Sequence, residues 1–350
     1  MMEFYIVDQN LNIVGIIDSY KSAIWTERYY KNGDFELYLP ATVNNILLLQ
    51  KQRFVVRTDQ PTKCMIIEDI QIETDEENGD YMTVSGRSIS TVLMRRIIWK
   101  QTTYSGYTEQ MVYKMLEKNC TAPDDSDRII PYLTLAPMQG LTEKISRQST
   151  GDHVETAIQD VCKDSKLGYR VNLDLENKQF IFSMYRGKDR SYNQSVNPYV
   201  VFSPNYDNLL SSKYQNTDVN FHNVLQVAGE GEGIAKQKVT VGRGSGLNRF
   251  ESFLNASQTS ANSGELDVNT YRTLLYQQGQ EKLADLAVQE SMDSDVVSNS
   301  TYQLNRDYFL GDVVEVVNEF GLAMTPRVTE VIECQDDTGY SIIPKFEVEN

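Results

Sequence analysis

Phe54-Val55-Val56-Arg57 is followed by Ile67-Glu68-Asp69-Ile70, an acidic stretch, and Gly79-Asp80-Tyr81-Met82-Thr83-Val84. Far downstream, Val313-Val314-Glu315-Val316 precedes Thr329-Glu330-Val331-Ile332-Glu333 and then Asp336-Asp337-Thr338-Gly339-Tyr340-Ser341-Ile342. Order and spacing nearly coincide. In both stretches apolar and polar residues alternate, the pattern of strands with one face toward a core and one toward water. Self-similarity at such a distance implies two copies of one β domain in a single chain.

Outward from the first copy, the same alternation predicts strands at Phe4 to Val7, Ile13 to Ile17, Ala23 to Tyr29, Asp34 to Leu39, Arg53 to Thr58, Cys64 to Thr74 and Tyr81 to Gly86. Asn78-Gly79 supplies a tight turn between the last two. Ser88 to Ile97 reads as a short closing helix. The period then changes. Thr108 is a cap for a helix with Met111, Val112, Met115 and Leu116 on one face, and Asp152 with Glu155 forms a capping box ahead of Val154, Ile158, Val161 and Cys162. Alternation around Tyr169 to Leu173 and Phe180 to Met184 makes a hairpin after the second helix. Beyond Asn197, strands are expected at Tyr199 to Phe202, Asn208 to Tyr214, His222 to Ala228 and Gln237 to Val241. A low-complexity loop from Asn255 to Glu265 follows, then a helix capped by Asp267 and running to about Met292. The final strands are expected at Val313 to Val317, Met324 to Cys334 and Tyr340 to Phe346.

The fold class is therefore α+β, mainly β. Residues 1–99 form a first β unit and 100–196 an inserted small α+β unit; 197–350 form a second β unit carrying the loop 255–265 and the long helix 267–292. A chain of 350 residues is long enough for two or three such units. Its 33 Lys and Arg against 49 Asp and Glu leave a net charge of −16. That argues against electrostatic capture of a nucleic-acid backbone or an anionic membrane surface. Cys64, Cys120, Cys162 and Cys334 are scattered and form no CxxC pair, so reduced thiols and a cytoplasmic place of assembly are expected. Neither a signal peptide nor a membrane span is read, and no membrane insertion is expected.

Chemistry-bearing patterns are sparse. The two histidines, His153 and His222, sit in unrelated contexts, and HExxH, zinc-type Cys/His spacing and the GxSxG elbow are absent. Gly229, Gly231 and Gly233, and again Gly242, Gly244 and Gly246, suggest a phosphate cradle, yet Glu230 and Glu232 would repel a phosphate and no Gly-Lys-Ser/Thr follows. Flexible turns or close backbone approach is the better reading, with Arg243 and Arg249 leaving an anion site open. Glu68, Asp69, Glu73, Asp75, Glu76, Glu77 and Asp80 lack the ligand spacing of a calcium loop and read as a solvated acidic hairpin. Trp25, Tyr29, Tyr30, Phe35 and Tyr38 suit core packing and subunit contact better than sugar stacking. No catalytic residue, cofactor or metal is expected.

Several segments nevertheless form a recognisable series: Trp25-Thr26-Glu27-Arg28-Tyr29, Gly33-Asp34-Phe35-Glu36-Leu37, Val84-Ser85-Gly86-Arg87-Ser88, Arg95-Arg96-Ile97-Ile98-Trp99, Asp189-Arg190-Ser191, Val201-Phe202-Ser203, Val227-Ala228-Gly229-Glu230-Gly231-Glu232-Gly233 and Tyr308-Phe309-Leu310-Gly311-Asp312. In this order and spacing, over almost the whole chain, they resemble the siphophage and prophage family of tail hub-like proteins, similar to baseplate hubs and to the N-terminal region of tail-associated proteins. The resemblance implies a homotrimer with two related β-barrel-like tube domains per chain, making a pseudo-sixfold ring at the virion tail tip. Such a ring docks on the tail tube or distal tail protein, carries fibre or spike proteins, and lets DNA pass without specific binding. Architectural roles follow for Trp25, Arg28, Gly33, Phe35, Gly86 and Arg87 in the first tube domain and for Gly229, Gly231, Gly311 and Asp312 in the second. Each also fits ordinary turn or core chemistry. Longer relatives continue into fibre or hydrolase regions, and no lytic region is expected here. Two other classes stay open on residues alone: a carbohydrate-active or wall-degrading enzyme using paired acids, and a receptor-binding adhesin.

Overall fold

Alternation produces the strands it predicts at the start of the chain. The computed structural model describes residues 2–77, 79–233, 236–257, 259, 261, 267–296 and 301–348. Its first strands are β1 (Phe4–Val7), β2 (Ile13–Ile17), β3 (Ser22–Arg28), β4 (Asp34–Pro40), β5 (Phe54–Arg57), β6 (Cys64–Glu73) and β7 (Tyr81–Ser88). Between β4 and β5 lies α1 (Val43–Leu48), for which the alternation gives no sign because the helix buries none of its residues. Thr42 caps it by accepting a hydrogen bond from the Asn45 amide at 3.2 Å. A 3-10 segment, Ile89–Arg95, closes the run. Asn78 of the expected turn lies outside the described residues, and its neighbour Gly79 has φ +88°.

The middle unit holds β8 (Thr102–Tyr107), α2 (Thr108–Leu116), β9 (Leu133–Leu135), β10 (Lys144–Ser149), α3 (Val154–Asp164), β11 (Gly168–Asp174) and β12 (Gln179–Tyr185). Both helices form where the 3.6-residue period places them, but neither uses the expected cap. Tyr107 precedes α2, and the Thr108 hydroxyl meets Ser165 at 2.9 Å instead of bonding an end amide. His153 precedes α3, while Glu155 is buried and accepts from the Tyr169 hydroxyl at 3.1 Å, so no capping box closes. The apolar faces of α2 and α3 join Val7, Phe54, Ile66, Phe180 and Phe182 in one core against the outside of the first sheet. Each fully buried aliphatic side chain here contributes about 1.5–3 kcal/mol.

The remainder contains β13 (Val201–Phe202), β14 (Leu209–Thr217), β15 (Val224–Ala228), β16 (Lys238–Gly242), β17 (Glu251–Asn255), α4 (Val268–Asp285), β18 (Gln289–Val296), β19 (Glu315–Val317), β20 (Ala323–Met324), β21 (Arg327–Asp336) and β22 (Gly339–Glu347). Asp267 caps α4 as expected, accepting from the Asn269 and Thr270 amides at 2.9 and 3.1 Å. The helix, however, stops at Asp285 rather than near Met292. Gln289 onward is β18, whose ladder with β14 starts at the Thr217–Gln289 pair. Inter-strand pairing captures this segment, which has no apolar helical stripe to bury. Similarly, His222 stands just before β15 rather than within it. Residues 258, 260 and 262–265 of the loop 255–265 lie outside the described residues.

Nine strands form one sheet in the order β2-β1-β5-β6-β7-β4-β3-β21-β22. The C-terminal hairpin, assigned from sequence to the unit 197–350, thus extends the sheet of residues 1–99: β21 lies antiparallel to β3 from Arg28–Glu330 to Ser22–Asp336. The first sheet curls around Phe4, Ile6, Trp25, Phe35, Leu37, Val55, Met65 and Val84. Among the described residues no ladder joins the ends of that curl, so it is not a closed barrel. A small unit of β15, β16 and β17 packs under α4, and a further core unites Val200, Phe202, Val314, Val316, Val328 and Phe346.

The two stretches that repeat in sequence also repeat in backbone geometry. In the first, the Gln52 amide donates to the Ile67 carbonyl at 2.8 Å and the Ile67 amide to the Arg53 carbonyl at 2.9 Å. A bulge between Ile67 and Asp69 follows. In the second, the Gly311 amide donates to the Val328 carbonyl at 2.8 Å and the Val328 amide to the Asp312 carbonyl at 2.9 Å, with a bulge between Val328 and Glu330. Both entering residues have positive φ, +67° at Gln52 and +95° at Gly311. The surrounding strand order agrees as well: β3-β4-β7-β6 in the first sheet is matched by β14-β18, which lies alongside β22, and then β21. In this comparison the short turn between β3 and β4 corresponds to the long excursion through β15, β16, β17 and α4.

Candidate functional site

With no catalytic pattern in the sequence, the place where distant parts of the chain are forced together is the natural site to build. That place is the seam of β3 and β21. Arg28, at the end of β3, forms ion pairs with Asp34 and with Glu330 directly opposite it, and donates to the Asn32 carbonyl at 3.1 Å. Deeper in, Arg57 on β5 reaches across the curl. Its guanidinium binds Asp59 through two hydrogen bonds of 3.0 and 2.7 Å and pairs with Glu333 of β21 at 2.6 Å, with both Arg57 and Glu333 buried. The same group lies 5.9 Å from the centre of the Trp25 ring, which stacks on Phe4. Bonding to Arg57 holds the Asp59 carboxyl below its ordinary range. A further pair, Lys63 with Glu27, bridges the start of β6 to β3. Side chains thereby span the curl that no ladder closes.

At the other end of the seam, Gly311 turns with φ +95° directly over Tyr29, where a Cβ would stand 2.3 Å from the ring. Only glycine fits both conditions. Tyr29 accepts from the Gly187 amide at 3.1 Å, and Arg327 lies over its ring at 5.2 Å while donating to the Gly311 carbonyl at 2.5 Å. The next residue, Asp312, is buried and accepts from the Lys188 amide (2.7 Å), Arg190 Nε (2.6 Å) and the Phe309 amide (3.1 Å). This knot ties the last third of the chain to the middle unit and to β3 at once.

The ten residues singled out from sequence fall into four places. Trp25, Phe35, Arg28 and Gly33 belong to the seam and the core behind it: Trp25 and Phe35 are paired across β3 and β4, and Gly33 lies against the Thr26 carbonyl. Gly86 and Arg87 sit on β7 beside the β6 bulge, where Arg87 binds Glu68 through hydrogen bonds of 2.6 and 2.8 Å. Gly311 and Asp312 form the second knot. Gly229 and Gly231 are elsewhere, in the loop after β15; Gly229 abuts Tyr271 and Leu275 of α4, and Gly231 has φ +104°. Sequence reasoning missed Arg57, Glu333 and Asp59, although a lone arginine ending the apolar run Phe-Val-Val is a legible signal of a buried partner. It also missed the pairing of Arg190 with Asp312, which lie too far apart in sequence for spacing to reveal.

A cavity of about 510 Å³ opens between β3, the start of β6 and the β11–β12 hairpin. Lys31, Arg170, Arg186 and Lys188 bring cations to its wall, while its two acids, Glu27 and Asp312, are held by Lys63 and Arg190. Its chemistry suits an anionic group better than acid–base hydrolysis by two facing carboxylates. Among the described residues no three His, Cys, Asp or Glu side chains are grouped as a metal site. No helix among the described residues is long and apolar enough to cross a membrane.

A second charged cluster lies where α4 comes up against β10 of the middle unit. Arg147 of β10 binds Asp164 and Asp160 at 2.9 and 3.2 Å. Burial, reinforced by the Asp164 charge, pushes the Glu281 carboxyl of α4 up to about 7. A carboxyl raised in the folded state stabilises fully below its unfolded value and loses that contribution as pH rises through the folded one. Stability is therefore expected to fall by about 3 kcal/mol between pH 4.5 and 8 through this group. Denaturation midpoints measured across that range should decline less in Glu281→Gln than in the unaltered chain; equal slopes would remove Glu281 as the cause.

The siphovirus ReqiPepy6 Gp37-like protein family matches residues 3–346. The chain belongs to this family. No curated protein sequence matches it. The Gp37-like chain has the fold of prophage tail proteins of known structure. It aligns with the tail protein of Neisseria meningitidis MC58 at a TM-score of 0.60 and 12% identity, covering 99% of this chain and 96% of that one. With the 43 kDa tail protein of prophage MuSo2 from Shewanella oneidensis the values are 0.61 and 11%, over 98% of both chains. With prophage tail protein gp18 from Listeria monocytogenes EGD-e they are 0.56 and 11%, over 100% of this chain and 94% of that one. Family and fold together make this Gp37-like chain a protein of the phage-tail type, mainly β.

Proposed function

We propose that this protein is the structural hub of a phage or prophage tail tip: a homotrimer whose three chains form a pseudo-sixfold ring under the tail tube. The observation that carries the reading is the repeat. Four strands of the first sheet, β3-β4-β7-β6, and the two ladders β14-β18 and β22-β21, which lie side by side, share the same backbone exchange and the same bulge and give one chain two similar surfaces. A threefold assembly of such chains offers six similar surfaces to a sixfold tube. Trp25, Arg28, Gly33, Phe35, Gly86 and Arg87 hold the first stack in shape; Gly311 and Asp312 fix the second against it, and Gly229 and Gly231 shape the excursion under α4.

The net charge of −16 supports passage of DNA through the ring without retention, since an acidic protein has little to offer a phosphate backbone. The tube or distal tail protein is the partner on one face, and fibre or spike proteins are the partners on the other. Reduced cysteines accord with assembly in the host cytoplasm before incorporation at the virion tail tip. Light scattering over a concentration series, with negative-stain images of the same fractions, tests the reading. Threefold rings with a central channel are expected. Strict monomers in solution that also fail to form rings on purified tail tubes would overturn it.

A further inference from the structure

Charge in the cavity between β3, the start of β6 and the β11–β12 hairpin runs against that of the chain. Six cations line it, Arg28, Lys31, Lys63, Arg170, Arg186 and Lys188, beside the two acids Glu27 and Asp312. The whole protein has 33 Lys and Arg to 49 Asp and Glu. Three of the six cations are spent within the chain: Arg28 on Asp34 and Glu330, Lys63 on Glu27, and Arg186 on Glu143. Asp312 is likewise spent on Arg190. Among the described residues Lys31, Arg170 and Lys188 have no carboxylate within ion-pairing distance, so the wall keeps three uncompensated positive charges.

Different parts of the fold present these three. Lys31 stands between β3 and β4, Arg170 on β11 and Lys188 just after β12. The segment carrying Lys188 is fixed by two backbone amides: Gly187 donates to the Tyr29 hydroxyl at 3.1 Å and Lys188 to Asp312 at 2.7 Å. Arg170 lies 4.9 Å from the centre of the Tyr185 ring and donates through Nε to the Ser183 hydroxyl at 3.4 Å, which leaves its terminal amino groups unspent. Thr62, Asn172, Asn305 and Tyr185 add neutral donors to the wall, and among the described residues none of these side chains is used in a hydrogen bond within the chain.

We propose that this cavity binds a small dianion, a molecule whose negative charges sit on phosphate or carboxylate groups. Oxygen acceptors are what a wall of ammonium, guanidinium, amide and hydroxyl donors lacks. A guanidinium held flat on a ring takes two such oxygens side by side, and the two lysines meet others as point charges. Val171, Phe309 and Leu310 give the carbon frame of the ligand an apolar surface to lie on. A volume of about 510 Å³ is space for a small molecule rather than a duplex, so the site is compatible with free passage of DNA. The site lies within one chain, and its failure leaves the hub reading untouched.

Calorimetric titration of the intact protein with pyrophosphate and with citrate, each compared with acetate at matched ionic strength, is the test. Saturable binding of one or both is expected, together with a raised thermal midpoint, because a ligand held only by the folded state stabilises it. Lys31→Ala combined with Lys188→Ala removes two exposed, unpaired side chains and should weaken binding by about tenfold or more with circular dichroism unchanged. Lys51→Ala combined with Lys118→Ala, at exposed lysines outside the cavity wall, should leave binding as it is. Binding of pyrophosphate alone assigns a phosphate ligand, and binding of citrate alone a carboxylate one. No saturable binding of either up to about 10 mM, a response that acetate reproduces, or equal binding in the two lysine pairs overturns the proposal.

Discussion

Asp312→Ala is expected to destabilise the monomer by about 3–5 kcal/mol, the cost of leaving a buried cation without its partner. Arg190 and Asp312 are both buried, and the carboxylate also receives the Lys188 and Phe309 amides. Removing it therefore does two kinds of damage. The guanidinium, 6% exposed, loses its counter-charge, and two backbone donors lose their acceptor at about 1–3 kcal/mol each. The double variant Asp312→Leu with Arg190→Met separates these effects. Apolar replacement of both partners relieves the charge penalty, whereas the orphaned amides remain, so the double variant should recover part of the loss and not all of it. Urea denaturation of the two variants and the parent provides the measurement. A loss below about 1 kcal/mol for Asp312→Ala would mean that Arg190 finds water or another carboxylate, and that the knot does not hold the last third of the chain.

What the sequence discloses and what it hides divide along physical lines. Alternation located β3, β4 and β7 within a residue or two because each has one buried and one more exposed face, while β5, buried along its whole length, shows as a short apolar run; both patterns are local. The repeat is read from two short, mostly apolar runs, Phe54-Val55-Val56-Arg57 and Val313-Val314-Glu315-Val316, each followed by a similar hairpin pattern. Pairing between strands leaves no such local trace. Nothing near Arg28 announces Glu330, and nothing in the last hairpin announces β3, so the sheets cross the unit boundaries that composition suggests. Helix ends failed where a side chain had a stronger claim elsewhere. Glu155 serves Tyr169 instead of a cap, and Gln289 joins β14 rather than prolonging α4. Among the architectural residues, Gly311 and Asp312 could be picked out, but the residues they serve, Tyr29 and Arg190, come into contact only through the tertiary fold.

Gly86→Ala is expected to cost about 3 kcal/mol and, with it, the register of β6 beyond its bulge. Gly86 lies opposite Ile67 at the start of the β6 bulge. A Cβ there would stand 1.8 Å from the Ile66 carbonyl oxygen, 2.9 Å from its carbon and 3.0 Å from the Glu68 amide nitrogen. These are backbone atoms, so no rotamer change relieves the overlap; either the β6–β7 ladder opens or the bulge flattens. Opening the ladder also separates Arg87 from Glu68, whose pair brackets the same point. Flattening has a different consequence. The bulge is what reverses the alternation along β6, and without it Ile70 and Ile72 would turn their amides toward β7 while Asp69, Gln71 and Glu73 would turn theirs to the open edge. The variant should therefore show a lowered denaturation midpoint and faster hydrogen exchange from Glu68 to Glu73 at temperatures where circular dichroism still reports a folded chain. An unchanged midpoint with normal exchange would show that β6 can shift aside freely, and the bulge would then cease to explain which edge is left open.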